Sequence, residues 1–184
     1  MNSRKLFWIL GAAALIAAFS GCSEKGSDGQ AGPAGAAAPR AASSAVTAPC
    51  ALIVKAQVEA IFGEPFQEGE DKSRERHPLG QRICFWNTAK PGSFRFLQVS
   101  IIRTSAMPAG KSPGAAAIFR QTRETLTPIQ DVVDVADEAF WGTMGLHLLQ
   151  GEAYVNIAVG SSDQPGNLEI AKKVAAIILP RLRT

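Results

Sequence analysis

Histidine is nearly missing from this 184-residue chain, and the two present, His77 and His147, have no second His or Cys at ligand spacing, so no zinc site is expected. There is no Gly-x-Ser-x-Gly elbow, no glycine-rich loop of the kind that cradles phosphate and no His-Glu-x-x-His, which removes common hydrolase and nucleotide-binding signatures. No motif calls for a cofactor. A broad basic stripe is also missing: 19 Lys and Arg against 16 Asp and Glu leave +3, which gives no argument for nucleic acid. The apolar run Leu6 to Phe19 falls short of the ~20 residues that a membrane-spanning helix requires. Cysteine is scarce too: Cys22, Cys50 and Cys84 lie too far apart for the C-x-x-C spacing of a redox pair.

What stands at the amino end is informative. Arg4 and Lys5, the apolar run behind them and the small pair Ser20-Gly21 have the layout of a secretory signal. Cys22 directly after that pair resembles the lipobox of bacterial lipoproteins, with Phe19 where the motif commonly has Leu. The resemblance implies cleavage before Cys22, a thioether-linked diacylglycerol on its sulfur and a further acyl chain such as palmitate on the new amino terminus. Two or more chains make a stable anchor where one binds only marginally. The competing reading is a plain secretory signal that happens to end near a cysteine.

Residues 23–48 have no aromatic and only Val46 as a large aliphatic, so they have too little to bury to offset their ordering entropy. The expected organisation is therefore a lipoprotein signal peptide over 1–21, the lipidated Cys22 with a disordered Ala/Gly/Pro/Ser linker over 22–48, and one globular domain over 49–184. Ser23, rather than Asp, after the cysteine resembles the outer-membrane sorting pattern. The expected location is the cell envelope, lipid-anchored, on the outer membrane facing the periplasm where a cell has two membranes.

With Cys22 committed to lipid, Cys50 and Cys84 form an even pair in an oxidising compartment and are expected to be bonded to each other. The mixed run Glu68, Glu70, Asp71, Lys72, Arg74, Arg76 and Arg82 reads as a solvated loop rather than an anion site.

Periodicity predicts a helix over 53–62 with Val54, Val58, Ile61 and Phe62 on one face and Gly63 as its stop. Residues 64–81 read as loop with a short strand near Phe66. Strands are expected over 83–87 and 94–104, joined by Lys90-Pro91-Gly92-Ser93. A second helix should bury Ala115, Ile118, Phe119, Thr122 and Leu126. Ile129 to Val135 is ambiguous. Strands over 139–143, 146–150 and 153–160 follow, with turns at Met144-Gly145 and Gly151-Glu152, then a helix over 167–182 that carries Pro180 near its end. This order predicts an α+β fold: about five to six antiparallel strands packed with about three helices. Phe85-Trp86 and Phe140-Trp141, each downstream of a helix, also suggest two pseudo-repeated halves.

Pro49-Cys50-Ala51-Leu52, Phe62-Gly63, Cys84-Phe85-Trp86, Asp137-Glu138-Ala139-Phe140-Trp141 and the closing amphipathic helix resemble a family of small secreted bacterial lipoproteins of unknown function. Its members join a Pro-Cys to a Cys-x-Trp by a disulfide, and many occur in actinobacterial envelopes. Val54 and Ala136 stand where members tend to have a capping Thr and a Gly. The resemblance implies an envelope-exposed α+β domain and no catalysis.

Asp131, Asp134, Asp137 and Glu138 form an acidic patch. Paired carboxylates could hydrolyse a glycoside or hold calcium, but without Asp-x-Asp-x-Asp-Gly spacing the patch reads as a turn and strand edge. His147, between Leu146 and Leu148, reads as pointing outward from an apolar strand, and Trp86 and Trp141 read as core anchors. The expected function is a non-enzymatic binding module, anchored to membrane, whose partner is another envelope protein or an envelope polymer. The alternatives are a lipid-anchored hydrolase using Glu138 with another carboxylate, and a carrier of a small apolar ligand. No metal and no catalytic residue is assigned.

Overall fold

The computed structural model describes residues 48–108, 113–160 and 164–182. The signal peptide, the lipidated Cys22 and nearly all of the linker lie outside the described residues. Among the described residues, no helix is long and apolar enough to cross a membrane.

The described residues form four α-helices and seven strands in chain order: α1 (Pro49–Leu52), α2 (Lys55–Phe62), β1 (Glu70–Asp71), β2 (Arg82–Asn87), β3 (Phe96–Arg103), a 3-10 turn (Thr104–Ala106), α3 (Ala115–Thr125), β4 (Ile129–Asp131), β5 (Glu138–Gly142), β6 (Gly145–Gln150), β7 (Ala153–Val159) and α4 (Asn167–Leu182). The strands form one sheet in the order β1-β2-β3-β7-β6-β5-β4, and every neighbouring pair is antiparallel. The α+β class holds, with more strands and one more helix than the sequence led us to expect. The added strands are the two edges, β1 and β4, of two and three exposed residues. Backbone pairing rather than apolar alternation defines them, and short charged edges also discourage pairing with other chains.

The helix expected over 53–62 is α2, which begins two residues later, and α1 is an additional short turn before it. Ile53 and Val54 between them are extended (φ −144° and −96°), and α2 starts at Lys55. Val54 has no side-chain oxygen to cap the new helix, but Gln57 reaches back and accepts its amide hydrogen at 3.2 Å. Gly63 ends α2 in the left-handed region (φ 68°), where glycine is the cheapest residue. The break lets Leu52 and Ile53 both point inward, fully buried.

Alternation along the strands separates two cores. On one face Leu97, Val99, Ile101, Leu146, Leu148, Val155 and Ile157 meet α1, α2 and α4. On the other, Ile102, Phe140, Leu149 and Tyr154 meet Ala115 and Phe119 of α3. The disulfide Cys50–Cys84 ties α1 to the middle of β2, with Cα atoms 5.2 Å apart. The segment expected to be a core-poor loop over 64–81 contributes more than that: Phe66 is fully buried, packs on Phe62 at 4.7 Å and bridges to Thr88. The turn before β6 is Thr143-Met144, one residue earlier than expected, because Gly142 pairs with Gly145. Phe85-Trp86 and Phe140-Trp141 sit in β2 and β5, each second from an edge. The helices upstream of them, α2 and α3, lie on opposite faces, so the likeness of the two halves stops at the strands.

Candidate functional site

The acidic patch does not converge. Asp131 in β4 takes a hydrogen bond from Arg123 of α3, and Glu138 in β5 takes one from Arg120 at 3.3 Å. Asp137 accepts from the Gln150 side chain at 3.0 Å and from the Gly151 amide at 2.7 Å, closing the β6–β7 turn. Asp134 sits apart in a turn (φ 63°), beside a cavity of about 430 Å³ lined with Lys172, Leu179 and Pro180 of α4. Each carboxylate but Asp134 thus supports a helix or a turn. No group of three or more His, Cys, Asp or Glu side chains able to hold a metal occurs among the described residues.

His147 is not at the surface. It is 3 % exposed, because α3 covers the sheet face to which strand alternation sends it. Its Nε2 donates to the Thr143 carbonyl at 3.1 Å, so Nδ1 is left as the acceptor of the Tyr154 hydroxyl at 2.7 Å. The Phe140 ring lies parallel to the imidazole at 4.5 Å, 5° between planes. Burial pushes the His147 pKa down, opposed by its bond to the Thr143 carbonyl. Burial likewise pushes the Tyr154 phenol up, opposed by the Thr122 side chain. Both groups are therefore held neutral. Asn156 donates to the Met144 carbonyl at 3.1 Å and completes a satisfied polar island. Trp86, as expected, is a core anchor at 1 % exposure, and Trp141 is half-buried.

The same sheet face continues past α3 over β3 and β2, and there it is open to solvent in part. Ile83, Phe85, Phe96 and Gln98 are all half-buried. Phe85 and Phe96, diagonal neighbours across the hairpin, lie nearly parallel with centroids 5.3 Å apart and 22° between planes. Phe94, two residues before Phe96, is 94 % exposed. At the other end of β2 this strip meets a concavity of about 240 Å³ lined by Lys72, Arg74, His77, Gln81 and Ile83. The lining includes no carboxylate. Lys72 is paired with Glu70, whereas the Arg74 side chain has no polar partner among the described residues. His77 Nδ1 accepts the amide hydrogens of Leu79 and Gln81 at 3.3 and 3.4 Å, which leaves Nε2 as the ring's N–H donor. Gln81 is held by the buried Ser100 hydroxyl at 2.6 Å.

In the sequence Lys72 and Arg74 read as solvated, and His77 reads only as a histidine without a second metal ligand. The period-2 pattern that sent Leu97, Val99 and Ile101 inward also sends Phe96 and Gln98 to the opposite face, and that was the available signal. No protein family, curated protein or solved structure matches the chain.

Proposed function

We propose that this chain is a lipid-anchored module of the cell envelope, of the secreted-lipoprotein type that its Pro-Cys and Cys-x-Trp pattern resembles, and that it binds a partner without chemical turnover. The observation that carries the reading is the strip from Phe94 and Phe96 through Phe85 to Arg74 and His77. It combines flat apolar rings with hydrogen-bond donors on a rigid sheet, which is the usual make-up of a binding surface. The Cys50–Cys84 disulfide supports an oxidising compartment and leaves Cys22 as the odd cysteine, available for lipid.

The rival hydrolase would need two carboxylates facing one space, but Glu138 is engaged with Arg120 while Asp131 and Asp137 are bound elsewhere. Fractionation of cells with wild type and Cys22→Ala tests the anchor: wild type should partition into detergent and the variant should remain unprocessed or soluble. A photoreactive residue placed at 98 should capture envelope material, and one at the exposed Val133 should not. Turnover of glycoside or peptide substrates that disappears in Glu138→Gln would overturn the reading.

A further inference from the structure

Resting on the binding-module reading, we infer that the strip binds an acidic polysaccharide: a sugar ring packs on the stacked Phe85–Phe96 pair, and a sugar carboxylate enters the concavity at Arg74 and His77. Three features of the face select this ligand.

The first is shape. Phe85 and Phe96 are half-buried on the open sheet face and stack on each other with 22° between planes, so together they offer one apolar platform, and the negative face of an aromatic ring suits the C–H face of a sugar. The second is charge. The concavity presents an Arg guanidinium with no partner among the described residues and an imidazole N–H directed by two main-chain amides, beside a Lys72 ammonium that is paired with Glu70. A planar carboxylate matches the guanidinium fork and can take the imidazole hydrogen as well. The third is register. Ile83 and Phe85 are two residues apart on one face of β2, roughly 7 Å, so the floor of the concavity and the platform fall within reach of a short stretch of polymer. A volume of about 240 Å³ admits an acid group and its sugar rather than the chain itself, which would run along the open sheet.

Binding to an anionic membrane surface is a different proposal. It is less favoured because the donors line a hollow and the two stacked rings are half-buried, so that Phe94 alone of the strip's rings projects outward as an interfacial anchor would.

The test uses the full chain in neutral detergent, titrated by calorimetry with polygalacturonate oligomers and with uncharged dextran of matched length. Wild type should bind polygalacturonate and not dextran. Arg74→Ala should weaken binding about tenfold, the effect of one charge-assisted hydrogen bond. Phe85→Leu, which keeps the apolar contact and removes the flat ring, should also weaken it, and its melting curve checks that it folds. Arg76→Ala, exposed and outside the concavity, should bind as wild type does. Equal affinity for dextran, no binding to either polymer, or equal losses in Arg74→Ala and Arg76→Ala would overturn the inference. So would micelles doped with phosphatidylglycerol that bind through Arg74 while polygalacturonate does not. If residue 98 captures envelope material in cells and acidic polysaccharide fails to bind, this inference falls and the module reading stands. Turnover dependent on Glu138 would remove the module reading itself.

Discussion

Tyr154 donates its hydroxyl hydrogen to Nδ1 of His147 at 2.7 Å, and the opposite ring nitrogen spends its own hydrogen on the Thr143 carbonyl. This pair pins β6 to β7 under α3 and accepts no second proton without loss. A hydrogen on Nδ1 would face the tyrosine hydrogen, and the imidazolium would be a charge buried between Phe140 and the sheet.

The pH dependence follows. The His147 pKa lies below its ordinary value of 6.5 because burial disfavours the charged form. The unfolded chain therefore binds a proton first as pH drops, and the stabilisation is complete above about 6.5 and lost progressively below it. Asp71, held low by the Ser73 hydroxyl and amide, titrates beneath this window. The melting temperature should fall between about pH 7 and 5, and His147→Gln should be less stable at pH 7 with a flatter profile over that interval. A wild-type melting temperature that is level from pH 7 to 5 would contradict the assignment.

Gly69 is needed for space. A Cβ there would lie 2.6 Å from Nε1 of Trp86 and 2.9 Å from Sγ of Cys84, both held rigidly. Gly69→Ala must push the 64–81 segment off β2, at a cost of about 1–3 kcal/mol. Thermal denaturation measures the loss, and tryptophan fluorescence should report the altered surroundings of Trp86.

The boundaries of α4 and the positions of the five longer strands could be read from apolar periodicity because those elements bury a complete face. Cys50 and Cys84 could be paired because the lipobox resemblance sets Cys22 apart from them. The short α1 and the extended Ile53-Val54 after it could not be read, since apolar residues continue through both and only tertiary contact rewards the extended turn. His147 was misplaced for a related reason. Alternation gives the face to which a side chain points, and it is α3, contributed from elsewhere in the chain, that decides whether that face is wet. The proposed binding strip falls between these cases: its aromatic half is implied by strand alternation, while its cationic half depends on how an irregular segment folds back beside β2.

Met144 occupies a left-handed backbone conformation (φ 74°) in the tight turn between β5 and β6, with its side chain 62 % exposed. A residue with a Cβ gives up roughly 1–2 kcal/mol there relative to glycine. The side chain is mostly in solvent, and the contact that matters, Asn156 to the Met144 carbonyl, uses the backbone. Met144→Gly should therefore stabilise the protein by about 1 kcal/mol in chemical denaturation, after allowance for the added freedom of the unfolded chain. A destabilised variant would mean that the methionine side chain contributes packing of its own.

The disulfide joins a helix too short to stand alone to the centre of the sheet. A single turn such as Pro49–Leu52 has no intrinsic stability. It is held from two sides, by Cys50 bonded to Cys84 and by Arg181 of α4, which donates to the Leu52 carbonyl. The bond spans 34 positions, for which chain entropy gives a stabilisation of about 4 kcal/mol as an upper value, a large share of the 5–15 kcal/mol typical of a domain. The buried Phe66 and the β1–β2 pairing already restrain the enclosed segment in the native state. The loss on reduction therefore comes chiefly from the wider freedom of the unfolded chain, together with fraying of α1. Cys50→Ser and Cys84→Ser should each lower the melting temperature markedly. Cys84→Ser should be the worse of the two, because its hydroxyl takes a fully buried place beside Trp86 and Gly69, whereas Cys50 is half-buried. The double variant should be little worse than Cys84→Ser alone, since both changes remove one shared bond. Additive losses, or two free thiols by intact mass in the oxidised protein, would show that the two sulfurs act independently.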